Sequence, residues 1–221
     1  MDPAAVHGER VALRDGSEVL VRPIEPGDKE GMRRGFERLS PRSRYRRFMA
    51  ATPRLTDAQL RYLTEVDHRD HEALVAFTED REPVGVARYV REAPGSDTAE
   101  VAVTVVDDWQ GRGVATALLE RLARHAEASG IEHLSAYALA TNDDVTELLA
   151  DLGDLEVVGR DGEVVTMRVD LSPRFGPEDP LRRALRAAAS SELRVPFLSD
   201  AFQALTEAFG GRAGSGCGRA E

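Results

Sequence analysis

The sequence predicts a mixed α/β (α+β) domain whose sheet is mostly antiparallel. Three observations carry this. Between Ser17 and Val169, alternating apolar segments interleave with segments of three-and-four spacing, in the order strand, helices, three strands, helix, strand, helix, two strands. Three of the strands are consecutive and joined by short polar turns, the pattern of an antiparallel meander. Hydrophobic residues make up 42% and charged residues 31% of 221, enough for one sizeable core. At roughly 150 residues per domain, about half a domain is left over.

Ser17 to Ile24 alternates and closes at Pro26-Gly27, a strand running into a turn. Asp28 to Leu39 has helical spacing, interrupted by Ser40-Pro41. Ser40 reads as an N-cap with Pro41 at the first helical position of an arginine-rich helix to Ala50. Thr56 caps a helix to Asp67, with Leu60, Leu63 and Val66 on one face. Strands follow at Ala73 to Thr78, Pro83 to Arg91 and Ala99 to Val106, the first two joined by the polar turn Glu79 to Glu82. Val114, Leu118, Leu119, Leu122, Ala123 and Ala126 define one face of a long helix that ends at Gly130. Ile131 to Ala140 is a strand, Asp143 to Leu152 a helix, and Glu156 to Val158 with Val164 to Val169 a closing hairpin. Residues 1–16 read as an N-terminal lead and 17–171 as the domain. Residues 172–221 read as an appendage with two amphipathic helical stretches, Leu181 to Ala189 and Ser199 to Phe209, and a disordered end from about Gly210.

The composition excludes several classes of function. No apolar run reaches the ~18 residues of a membrane span, and the polar N-terminus has no signal-peptide core, so a cytoplasmic protein is expected. Cys217 is alone, which excludes an intrachain disulfide framework and a cysteine zinc cluster, and the five histidines lack ligand spacing; no metal is expected. The net charge of −10 argues against duplex nucleic acid as a partner. It is compatible with a cationic substrate.

The segment Val101 to Thr116 carries the chemistry. A strand passes through a short connection into Gly111-Arg112-Gly113, which opens the long helix. Orphan N–H groups, the helix dipole and glycines that admit close approach together make an anion site suited to a pyrophosphate. A P-loop is excluded because the only lysine is Lys29, and the three-glycine dinucleotide fingerprint fails at Ala115.

Gln110-Gly111-Arg112-Gly113-Val114-Ala115 resembles the Gln/Arg-x-x-Gly-x-Gly/Ala signature of GNAT-superfamily N-acetyltransferases, at the same place in the element order. The resemblance covers about residues 17–170. It implies a GNAT fold: a mixed sheet of about seven strands, splayed between the fourth and fifth and flanked by helices, with acetyl-CoA as co-substrate in the cleft. It further implies that the backbone of Val103, Thr104 and Val105, at a bulged strand end, binds the pantetheine arm. Gln110, Gly111, Arg112, Gly113, Val114, Ala115 and Thr116 would form the pyrophosphate loop, and Asn142 would contact the cofactor. Glu100 matches the general base of many relatives, needed because a free lysine amine is protonated up to about pH 10.4. The tyrosine that often protonates the departing thiolate is replaced by Leu149, and the glycine-aromatic pair ending that helix by Gly153-Asp154. Tyr137 is a substitute acid to consider.

Leu39 to Phe48 (LSPRSRYRRF) resembles a segment of bacterial Pat-like protein lysine acetyltransferases, which modify acyl-CoA synthetases. The expected acceptor is therefore a protein lysine. A small-molecule amine and a CoA-binding regulatory module without turnover are the alternatives, and a homo-oligomer is compatible with the appendage. No fusion partner fits in 221 residues, so a stand-alone enzyme is expected.

Overall fold

The computed structural model describes residues 8–50 and 52–171. The two helical stretches expected in the appendage lie outside them. Eight strands form one sheet in the order β1-β2-β3-β4-β5-β6-β8-β7. They are β1 (Glu9–Ala12), β2 (Glu18–Pro23), β3 (His71–Phe77), β4 (Pro83–Arg91), β5 (Thr98–Val105), β6 (His133–Leu139), β7 (Asp154–Asp161) and β8 (Val164–Asp170). The helices are α1 (Lys29–Glu37), α2 (Pro41–Phe48), α3 (Asp57–Thr64), α4 (Val114–Ala128) and α5 (Asp143–Ala150). The eighth strand is β1, which falls inside the segment read as a lead. Its four residues bury almost nothing, so they carry no alternation for sequence to show.

Every pairing is antiparallel except β5 with β6, which run parallel over three residue pairs only, Thr98↔His133, Ala99↔Leu134 and Glu100↔Ser135. Beyond Glu100 the two strands diverge, and among the described residues nothing pairs with the outer edge of β5. The paired end is stapled further: the N–H groups of Glu132 and His133 donate to Asp97 O (2.7 and 3.0 Å), and Leu171 N–H donates to Glu132 O (2.9 Å).

The helices cover both faces of the sheet. A Cβ on Gly85 would meet α4, at 2.8 Å from Val114 Cγ1 and 3.1 Å from Leu118 Cδ1. Its neighbour Val86 faces the opposite side, where Met32, Phe36 and Leu63 of α1 and α3 lie. The α4 face predicted by periodicity is the buried one, with Leu118, Leu119 and Leu122 each at most 1% exposed. Burying each such leucine is worth ~2 kcal/mol.

Both predicted N-caps form. Ser40 Oγ accepts from Ser43 N–H (3.2 Å), and Thr56 with Gln59 makes a reciprocal capping box (3.2 and 2.7 Å). The helix expected from Asp28 instead begins with a 3-10 turn at Pro26–Asp28, which its proline at the first position and the Asp28 side-chain hydrogen bond to Glu25 N–H favour.

Candidate active site

The divergence of β5 from β6 opens a cleft of about 560 Å3. Its walls are β5, the start of α4, β6 from Ala136 to Ala138, α5, and α2 from Ser43 to Phe48. Glu100, Val103, Thr104, Val105, Gln110, Gly111, Gly113, Val114, Ala115, Thr116 and Asn142 all line it. Arg112 does not. Its guanidinium stacks over the Trp109 ring at 4.8 Å and pairs with Asp15 at 3.5 Å, turning the side chain away and leaving only its backbone in the loop.

Which backbone groups face the cleft follows from the β4–β5 ladder. Val106 N–H donates to Val84 O (3.0 Å) at one end, and Glu92 N–H to Thr98 O (3.1 Å) at the other. In an antiparallel ladder hydrogen-bonded pairs alternate with non-bonded ones, so 86/104, 88/102 and 90/100 are bonded pairs. Val101, Val103 and Val105 therefore turn their N–H and C=O groups toward the split. Thr104 spends its backbone on Val86 and offers the cleft its side chain. The register runs unbroken from Gly85↔Val105 to Arg91↔Ala99, so the bulge implied by the resemblance is absent. The departure of β6 frees the polar groups instead.

The turn after β5 is braced from several sides. Gln110 Nε2 donates to Val105 O at 3.0 Å, and Arg14 N–H donates to Arg112 O at 3.2 Å. Gly111 and Gly113 have φ of +74° and +96°, left-handed values that favour glycine at both positions. Gly113 is the N-cap of α4 and makes no side-chain cap; the first turn holds no acidic residue, and the first intrahelical bond is Ala117 N–H to Gly113 O (3.0 Å). The amides of the first turn are thus left facing the cleft, beside the positive end of the dipole.

The opposite wall is held by a clamp that sequence reasoning missed. The Asp107 carboxylate accepts from Ser40 N–H (2.7 Å), Ser40 Oγ (2.9 Å) and Ser43 Oγ (2.7 Å), tying the start of α2 to the end of β5. Burial alone would raise its pKa, but these hydrogen bonds outweigh burial and hold it below the usual carboxylate range. The Ser-Pro cap and Asp107 are each visible in the sequence; their meeting across 67 residues is not. At the rim Arg46 of α2 reaches Asp144 of α5 at 3.7 Å, bridging the cleft mouth.

Glu100 is 8% exposed, on the face of β5 covered by α2. Arg47, half-buried on α2, shares the cleft with it. Burial pulls the Arg47 pKa down, opposed by the charges of Glu100 and Tyr62. Behind them Arg88 of β4 is 4% exposed, and burial, reinforced by Arg47, lowers its pKa to about 10. Tyr62 of α3 is raised, chiefly by burial. Leu149 is 3% exposed, so the usual acid position holds a core side chain, whereas Tyr137 of β6 lines the cleft. Among the described residues no group of three His, Cys, Asp or Glu side chains gathers as a metal set, and no helix is long and apolar enough to cross a membrane.

The model of the acetyltransferase (GNAT) family matches residues 36–153. Acetyltransferase Pat of Mycolicibacterium smegmatis is 36% identical over 190 residues, covering 81% of this chain and 56% of that protein. The chain thus spans little more than half the length of that relative. Acetyltransferase PA5475 of Pseudomonas aeruginosa is 34% identical over 155 residues, 68% of this chain and 83% of its own. The solved GNAT domain of S. lividans PAT is similar with a TM-score of 0.69 at 35% identity, over 77% of this chain and 100% of that one. With a family model matching more than half of the chain and a relative matched along most of its own length, the chain belongs to the GNAT acetyltransferase family.

Proposed function

We propose that the chain transfers an acetyl group from acetyl-CoA to a primary amine, and that the acceptor is a lysine side chain on a protein of the acyl-CoA synthetase type. The observation that carries the transfer is the split after Glu100, which turns the Val103 and Val105 backbone groups toward the open N-terminus of α4. In this reading the first-turn amides from Gly113 to Thr116 hold the pyrophosphate. The Val103 amide polarises the thioester carbonyl, and the arm lies along the edge that β6 vacates. Asn142, at the N-terminus of α5, closes the far side.

Glu100 acts as general base. Val103 lies three positions further along the strand, roughly 10 Å along the backbone, a span that the Glu100 side chain and one water bridge. The thiolate leaves by taking a proton from the amine or from Tyr137, since Leu149 offers none. The lysine reading rests on the resemblance of the α2 segment to Pat-like enzymes and on the similarity to Pat. It places the protein in the cytoplasm, where such acceptors and acetyl-CoA meet.

The test is release of CoA thiol from acetyl-CoA, first with an acyl-CoA synthetase and then with polyamines, amino acids and aminoglycosides. Glu100→Gln is expected to lower kcat by 10²- to 10⁴-fold, on the order of general-base contributions, with acetyl-CoA affinity retained. A folded variant with undiminished kcat removes Glu100 from the role. Absence of CoA release from wild type with every acceptor leaves only a binding module.

A further inference from the structure

We infer that the Arg47 guanidinium, backed by Arg88, drives the proton off the acceptor amine by electrostatic repulsion, so that the amine meets the thioester in its neutral form. The inference rests on the reading of the cleft as an amine acetyltransferase site. A lysine-type ammonium keeps its proton to about pH 10.4 in water. A buried carboxylate alone works against its loss, because negative charge beside an ammonium stabilises the charged form. A positive counterweight therefore offsets Glu100 and favours loss of the amine proton, which Glu100 relays to water.

The structure supplies one from two elements. Arg47, in the last turn of α2, lines the cleft with Glu100 and also a cavity of about 60 Å3 beneath the helix, where Arg88 joins it. Arg88 stands on β4 opposite Ala102 and donates through Nη2 to Leu63 O at 2.7 Å. Its Nη1 is buried with no hydrogen-bond partner among the described residues. The Tyr62 ring lies 5.6 Å from its Cζ. Two guanidiniums thus face one carboxylate and a phenol, leaving an excess of one positive charge around Glu100. Arg88 remains cationic at neutral pH even with its pKa lowered to about 10. Farther out, Tyr137, Glu147 and Asp151 line the cleft, and Arg46 and Asp144 pair with each other at the rim. His71, beside Arg88, is neutral because burial pushes it down to about 3.

One ammonium proton passes to Glu100 and on to water. The freed lone pair forms the C–N bond as the C–S bond breaks; the electron pair leaves on the CoA sulfur, which takes up the second amine proton. Repulsion from a neighbouring cation is an established way of making an amine nucleophilic at neutral pH. A unit charge about 7 Å away at an effective dielectric of about 20 is worth on the order of one to two pKa units.

The experiment follows kcat against pH for the full chain with acetyl-CoA and lysine methylamide blocked at its α-nitrogen, by release of CoA thiol. In wild type the acid limb is expected well below the pKa of the free amine. Arg47→Gln should move that limb up by about one unit and lower kcat at neutral pH about tenfold, while Arg47→Lys, which keeps the charge, should restore it. A lysine amide carrying two fluorines on the carbon next to the aminomethyl group, whose amine is far less basic, should lose much less with Arg47→Gln. Equal loss for both amines, or an unmoved limb in an active variant, overturns the inference and leaves the transferase reading standing. If Arg47→Gln does not fold, Arg88→Met reports the same displacement of the limb at smaller size, and a wild-type limb at the free amine's pKa overturns the inference without any variant. No CoA release by wild type with any amine overturns both.

Discussion

His71 opens β3 beneath α3, with its ring 5.2 Å from that of Tyr62 and its Nε2 buried without a hydrogen-bond partner among the described residues. Burial, reinforced by the charge of Arg88, pushes its pKa down to about 3 from an ordinary 6.5, although Asp67 and Glu72 pull the other way. In the unfolded chain the same imidazole titrates near 6.5. Acidification therefore protonates the unfolded state first, and stability falls as pH drops from about 6.5 toward 3. At about pH 5 the folded-state ring is still neutral, whereas the unfolded one has gained about RT ln(1 + 10^1.5), or about 2 kcal/mol, relative to its neutral form. His71→Phe keeps a ring against Tyr62 and removes the titration. Urea unfolding followed by circular dichroism at about pH 7.5 and about pH 5 should show the wild type losing about 2 kcal/mol more than the variant across that interval. The comparison is a difference of differences, so titrations elsewhere in the protein cancel. Identical losses in the two proteins would refute a buried neutral His71.

Other perturbations probe the cleft walls. Gly113→Val forces a β-branched residue to φ near +96°, which costs roughly 1–2 kcal/mol and crowds the α4 amides; acetyl-CoA affinity by isothermal titration should drop at least about tenfold, and an unchanged affinity would remove this loop from the pyrophosphate site. Gly85→Ala places a methyl 2.8 Å from Val114 Cγ1 and should cost roughly 1–3 kcal/mol while pushing back the first turn of α4; calorimetry showing an unchanged Tm would contradict the close approach. Asp107→Asn removes the charge that the Ser40 and Ser43 donors favour, so the acceptor KM should rise with the acetyl-CoA Kd unaltered. Because the Asp107 pKa is depressed on folding, the clamp's contribution is present above the ordinary carboxylate value, about 3.9, and lost as pH falls below it. A wild type that keeps the same KM across that pH range would speak against the clamp.

The local signals in this sequence translate faithfully because they are local. Ser40-Pro41, Thr56, the glycine pair at 111 and 113, and the α4 stripe from Val114 to Ala126 each act within one or two turns of chain, and each forms, although the helix that Thr56 caps stops at Thr64, short of the expected Asp67 and leaving Val66 beyond it. What sequence does not show is set by meetings at long range. The strand β1 has no buried alternation because it is a short edge held by backbone bonds to β2, with Arg10 opposite Leu20. Arg14 comes to the glycine loop only because β1 and β2 carry it there. The arginines of α2 look alike in sequence; the helix phase turns Arg47 inward to Arg88 and Glu100, Arg46 to the rim, and Arg44 onto the Phe36 ring. The missing bulge in β5 has the same origin, since the edge is exposed by where β6 goes and not by β5 itself.

The three residue pairs that join β5 to β6 make the sheet two levers on one short hinge. One arm carries β1 to β5 with α1, α2 and α3, the other β6, β8 and β7. With the staples of Asp97 and Glu132 all at one end, a small rotation at the seam becomes a larger change of width at the open end, where the α2 and α5 rims face each other. A ligand lodged between the arms works as a rivet, spanning the gap where the main chain offers no hydrogen bonds. At a hundredfold excess over its Kd such a ligand adds about 2.7 kcal/mol to stability by mass action. The gap is thus the line along which the sheet has fewest main-chain bonds; one continuous apolar core already joins the two arms, and under the proposed function a bound cofactor adds cohesion at the open end.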